Sequence, residues 1–154
     1  MNNKLELNKE YITDIKTHFR KEYENKMDAD FVKNTLISFD KLNANNPHPI
    51  TLSLKGFLFY AHIEISDTLT SANFVGDSGG VGLGLSVADG SLFTAGGFSY
   101  VDIYKQTVSF QINSLIAYLN VNFFNSNSQL LGHIQAEALG FGFIGGGNGK
   151  WDNY

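Results

Sequence analysis

Four histidines, His18, His48, His62 and His133, are the side chains best suited to acid–base or metal chemistry in this chain. Two of them sit in alternating runs. His62 precedes Glu64 by two positions, and His133 precedes Gln135 and Glu137. Residues two apart on a strand share a face. Were the two strands neighbours, their imidazoles and carboxylates would form a mixed nitrogen–oxygen metal site. The same spacing suits the outward polar face of an antiparallel sheet, which is the preferred reading. The chain has no cysteine, so disulfides, thiolate zinc sites and cysteine nucleophiles are excluded.

Three other patterns suggest ligands. Gly79-Gly80-Val81-Gly82-Leu83-Gly84 looks like a phosphate loop. Such loops need a strand before and a helix after. Here the glycines alternate with apolar residues within a strand, so close backbone packing explains them better. Tyr118, Asn120, Asn122 and Phe124 share a face whose rings and amides suit a sugar; an amphipathic outer strand face is the plainer reading. An apolar loop over Gly140–Gly147, with Phe141, Phe143 and Ile144, could touch lipid, although a barrel core is the better home for those rings. No nucleophile elbow, Schiff-base lysine pocket or paired glycosidase carboxylates are evident. No catalytic, metal or cofactor-binding residue is assigned, and no cofactor is expected.

The elements that position these residues fall into two compositions. All 16 glycines lie at or after Gly56. Residues 1–42 carry balanced charge, whereas Lys55, Lys105 and Lys150 are the sole basic residues beyond them, against seven acids. Asn43-Ala44-Asn45-Asn46-Pro47-His48-Pro49 is the joint, because neither helix nor central strand tolerates its prolines. Two segments follow: a charged helical one over 1–46 and a strand domain over 47–154. In the first, Ile12, Ile15, Phe19 and Tyr23 recur at helical spacing after the capping residue Asn8. A second apolar set, Phe31, Val32, Thr35, Leu36 and Phe39, follows Asp28 and Asp30. This segment is expected either to lie on the barrel or close one end of it, or to act as a detachable arm for a partner or lipid surface.

The second part reads as strands. Ile50, Leu52 and Leu54 alternate with polar residues; past Gly56 the apolar phase shifts to Phe57, Phe59, Ala61, Ile63 and Ile65. That shift predicts a bulge or sharp bend in one long strand. Further alternation covers 81–87, 108–112, 115–123, 130–137 and 139–143, and short strands near 72–76 and 91–96 bring the total to about eight. Asp89-Gly90 reads as a tight hairpin, Asn125–Ser128 as a hairpin loop, and Ser99–Gln106 as a helical turn or irregular crossover. Thr107–Trp151 carries only Glu137 and Lys150 as charges. So apolar a segment hides its backbone best in a closed sheet. The expected fold is all-β with an N-terminal helical extension: a compact eight-stranded antiparallel β-barrel with a filled interior. Net charge −4 argues against nucleic acid. No run approaches the roughly 18 apolar residues of a membrane helix.

Thr107-Val108-Ser109-Phe110-Gln111, Ala117–Phe124, Leu131-Gly132-His133-Ile134-Gln135-Ala136 and the glycine-rich tail Gly145–Trp151 together resemble the virulence-associated proteins (Vap family) of rhodococci. Gly90-Ser91-Leu92-Phe93-Thr94 and the crossover at Asp102-Ile103-Tyr104 fit the same pattern. The likeness covers roughly residues 55–151. It implies an eight-stranded barrel without an obvious ligand cavity or catalytic apparatus. It also implies a secreted effector that helps an intracellular bacterium survive in macrophages. The expected partner is a host protein or a lipid membrane surface; the alternative is a carbohydrate- or small-ligand-binding barrel. The start of the chain departs from the family, with a charged helix-like segment where a signal peptide and loose polar leader are usual.

Overall fold

The computed structural model describes Thr17, Arg20 and residues 47–115, 118–137 and 142–154. Most of the expected helical segment over 1–46 therefore lies outside the described residues; Thr17 and Arg20 are helical and exposed. The strands are β1 (His48–Asp67), β2 (Asn73–Thr94), β3 (Ser109–Leu115), β4 (Tyr118–Phe124), β5 (Leu130–Ala136) and β6 (Gly142–Asp152), with helix α1 (Tyr100–Gln106) between β2 and β3. All pairings are antiparallel.

The sheet order is β1-β2-β5-β4-β3-β6, and a further β2–β6 pairing closes the ring. Two long strands make closure possible. β2 pairs with β6 over Asn73–Leu83 and with β5 over Gly90–Thr94, so it serves as two staves. β1 follows β2 along both halves, with a register shift between Leu58 and Tyr60. Leu58 has φ 55°, a left-handed value that marks the bend. A straight strand of 20 residues would span about 66 Å. Instead its ends meet: the Thr68 amide donates to the Pro49 carbonyl at 2.9 Å. The β1–β2 ribbon is folded back on itself.

Eight separate strands were expected, and six continuous ones form among the described residues. The stretches near 72–76, 81–87 and 91–96 are one uninterrupted strand. Asp89-Gly90 is not a hairpin: the two residues pair with Thr51 and Ile50 inside the ladder. The expected loop over Gly140–Gly147 is strand from Gly142 on, and Gly145–Gly149 lies against β2. Here glycine is required sterically. A Cβ on Gly145 or Gly147 would enter the Gly79 or Asp77 carbonyl across the ladder. Gly80, at φ 155°, is equally hemmed in by the Ile144 carbonyl. The glycines thus let β2 and β6 approach closely, as expected for the 79–84 run.

The interior is filled. Ile50, Leu52 and Leu54 from one half of β1 meet Ala61, Ile63 and Ile65 from the other, with Ile112, Val121 and Ile134 from the facing wall. Phe74 packs edge-on to Phe110 and Phe123 at 5.3 and 5.1 Å between centroids, and Trp151 tilts against Phe74 and Phe123. Such contacts add about 0.5–1.5 kcal/mol each beyond area burial. α1 plugs one end with Ile103 and Tyr104. It is held by a capping box: Ser99 Oγ accepts from the Asp102 amide, and the Asp102 carboxylate accepts from the Ser99 amide. That backbone donor holds the Asp102 carboxyl below its usual range.

Candidate functional site

Three sets of side chains stand out. The first is the outside of the β1 bend. Phe57 and Phe59 were expected to point inward with Ala61. They are instead 69% and 73% exposed, and Leu58 and Tyr60 between and beside them are also exposed. At the bend, marked by the register shift between Leu58 and Tyr60, side chains on both faces of β1 reach solvent. Phe57 and Leu58 pair with Leu83 and Gly82 of β2, and exposed Val81 extends the apolar tip.

The second set flanks this tip. Tyr60 donates to Asp77 Oδ1 at 2.5 Å, and His62 Nδ1 lies 2.8 Å from the same oxygen. His62 Nε2 faces Glu64 at 3.3 Å. An imidazole between two carboxylates favours its doubly protonated form, and the Asp77 hydrogen bond is the main cause of its raised pKa. The Tyr60 and His62 donors hold Asp77 below the usual carboxylate range.

The third set ties the two ends of β1 beneath α1. His48 Nδ1 lies 2.7 Å from Asp67 Oδ2, and Tyr104 donates to the same oxygen at 2.5 Å. The Leu69 amide donates to Asp67 Oδ1. Tyr100 stacks on His48 at 3.4 Å, and burial pushes its hydroxyl up to about 12. Burial also raises the Tyr104 hydroxyl. The Asp67 side chain is wholly buried. These groups lie 19 and 37 residues apart, so no local pattern announced them.

The structure separates the histidines of the metal reading. His62 pairs with Asp77 near the start of β2, whereas His133 of β5 pairs with Phe93 near its end. No group of three metal-ligating side chains occurs among the described residues. The sugar-binding face also fails to stand open: Asn120, Asn122 and Phe124 are buried. Of the apolar loop, residues 140–141 lie outside the described residues, 142–147 belong to β6, and Phe143 enters the core. No helix among the described residues is long and apolar enough to cross a membrane.

His133 itself is fully buried. Its ring stacks on Phe93, and Gln135 lies against Nδ1. Desolvation pushes its pKa from 6.5 down to about 3. Protons therefore bind the unfolded chain first. The stability this neutral imidazole confers is complete above pH 6.5 and drains away as pH falls toward 3. At pH 4.5 the loss reaches about 2.7 kcal/mol, at 1.36 kcal/mol per unit. Urea unfolding at pH 7 and 4.5 checks this: His133→Gln should shed less stability between the two than the parent. Equal losses would contradict it.

A family model described as Rhodococcus equi virulence-associated protein matches residues 3–152. The matched range takes in residues 3–46 as well as the strand domain. The structure of the virulence-associated protein VapD from the intracellular pathogen Rhodococcus equi superimposes with TM-score 0.65 at 32% identity, over 70% of this chain and 97% of that one. That of VapB from the same organism gives 0.62 at 37% identity, over 71% and 98%. A comparison with curated proteins gives no match. With the family pattern spanning nearly every residue and the barrel shared with two solved relatives, this chain belongs to the Rhodococcus equi virulence-associated protein family.

Proposed function

We propose that this protein is a secreted, non-enzymatic virulence effector that binds a host protein or membrane surface through the tip of its folded ribbon. One observation carries the reading: four consecutive large apolar side chains, Phe57 to Tyr60, stand in solvent at the bend. Contiguous exposed apolar surface is characteristic of interaction sites, and aromatic anchors carry much of the energy at such sites. The protein's net charge of −4 and the carboxylates of Asp77 and Glu64 beside the tip count against anionic lipid. A protein surface or a zwitterionic bilayer suits it better. Family membership supports a virulence role.

The test is association of labelled protein with cultured macrophages. Phe57→Ser combined with Phe59→Ser should weaken it about tenfold or more, because two exposed anchors each supply upward of 1 kcal/mol. The unfolding midpoint should barely move, since exposed substitutions stay within about 0.5 kcal/mol. Association unchanged by the double substitution would overturn the proposal.

A further inference from the structure

The outer face of β1, β2 and β6 carries a set of groups that the core does not use. Along β2, Phe74, Gly76 and Ser78 are buried while Val75, Asp77, Gly79 and Val81 are exposed, so the latter four point outward. Pairing extends these outward positions into rows across neighbouring strands. His62, Asp77 and Asn148 form one row, Tyr60, Gly79 and Gly146 the next, and Val81 and Ile144 a third. The middle row is low. Tyr60 reaches diagonally to the first row, where its hydroxyl donates to Asp77. It does not close over Gly79, because a Cβ added there would find nothing within 4 Å. Asp77 and Val81, four residues apart on one strand, are separated by about 13 Å, and β1 and β6 by about 10 Å. The result is a shallow trough with one polar side, one apolar side and an aromatic ring at its end.

The polar side is preset for recognition. Tyr60 and His62 both bond Asp77 Oδ1, which fixes the carboxylate and holds it ionised. Oδ2, on a side chain 62% exposed, is left to an incoming hydroxyl. A hydroxyl on a carboxylate makes one of the stronger hydrogen bonds. Beside it, the exposed Asn148 amide can both donate and accept. The Tyr60 ring is itself exposed, and the negative face of an aromatic ring suits the polarised C–H groups of a sugar. Other ligand classes fit less well. Phosphate or sulfate would meet the carboxylates of Asp77 and Glu64. An ammonium group would meet the imidazolium that His62 forms between those carboxylates. A metal ion lacks ligands, since no group of three occurs among the described residues. A neutral ligand with hydroxyls at its edge and C–H groups on its face satisfies every side.

We propose that this trough binds a neutral sugar residue, with its hydroxyls on Asp77 and Asn148 and its ring against Tyr60. The site differs from the β4 face that strand alternation suggested, whose Asn120 and Asn122 are buried. It adjoins the apolar tip but uses neither Phe57 nor Phe59, so it does not rest on the tip reading.

The test follows backbone amide shifts of the full chain by NMR during titration with the methyl glycosides of glucose, galactose, mannose and N-acetylglucosamine. Each is raised to about 50 mM, enough to fill a site of millimolar affinity. At least one glycoside should shift the amides of Asp77, Gly79, Gly146 and Asn148 together. Asp77→Ala should weaken that binding about tenfold or more, as loss of a hydrogen bond to a charged group does. Gly79→Val places bulk in the open floor, suits a strand, and should abolish binding. Phe57→Ser with Phe59→Ser should leave it unchanged, which separates failure of this site from failure of the tip. No response at these amides to any of the four sugars, or parental binding by a folded Gly79→Val variant, would overturn the proposal. Tetramethylammonium chloride reproducing the same shifts would overturn it too, by assigning the trough to a cation.

Discussion

Gly147→Ala is expected to destabilise the protein by about 3 kcal/mol or more, at the upper end of overpacking costs. The added Cβ would overlap the Asp77 carbonyl oxygen and crowd the Ser78 Cα. Both are backbone atoms of β2, so neither can swing aside as a side chain tip would. Relief requires β6 to draw away from β2, and the β2–β6 ladder is the pairing that closes the ring. Gly145→Ala should behave alike, since its Cβ would strike the Gly79 carbonyl. Gly79→Ala is the control. It stands in the same glycine run, but nothing lies within 4 Å of its added Cβ. It should fall within about 1 kcal/mol of the parent, because the lost freedom of the unfolded chain offsets small strain. Urea unfolding of the three variants separates a steric requirement at particular glycines from a general preference for glycine. Equal effects at 79 and 147 would contradict the closed ladder.

Asp67→Ala is the second large effect. The carboxylate gathers His48, the Tyr104 hydroxyl and the Leu69 amide while fully buried. Its removal strands three polar groups at the point where the ends of β1 meet beneath α1. Leaving buried hydrogen-bonding groups without their partner costs about 1–3 kcal/mol each, so the loss should reach about 3 kcal/mol or more. Asp67→Asn retains a carbonyl acceptor and should lose roughly half as much. Hydrogen exchange offers a local check: the Thr68 amide, bonded to Pro49, should lose protection in Asp67→Ala before the amides of β3 and β4 do. A variant within 1 kcal/mol of the parent would mean that the cluster is incidental to closure.

Much of the barrel was legible because alternation reports a buried face directly. Ile50, Leu52 and Leu54, or Leu119, Val121 and Phe123, enter the core where their periodicity places them. The failures share a cause: each depended on partners distant in sequence. Phe57 and Phe59 share the apolar phase of Ala61, Ile63 and Ile65, yet at the bend they reach solvent. Asp89-Gly90 has turn chemistry, but Gly90 is needed where its missing Cβ clears the Gln135 carbonyl of β5. The stretch Gly140–Gly147 looks like a loop until the matching glycines of β2 are set beside it. Asn120, Asn122 and His133 read as outward, and outward they face. Their burial is not something strand periodicity encodes. The tip was missed for the same reason, since the only available signal was the phase shift at Gly56, which marks a bend without showing which residues it exposes.

The proposed function places the partner on the bend of β1. A benzoylphenylalanine photocrosslinker at position 59, irradiated on cultured macrophages, tests that most directly. Thr51, exposed elsewhere on the same strand, provides the matched control position. Adducts to a host protein or lipid are expected from position 59 and few from position 51. Equal yields from both, or adducts from 51 alone, would contradict it.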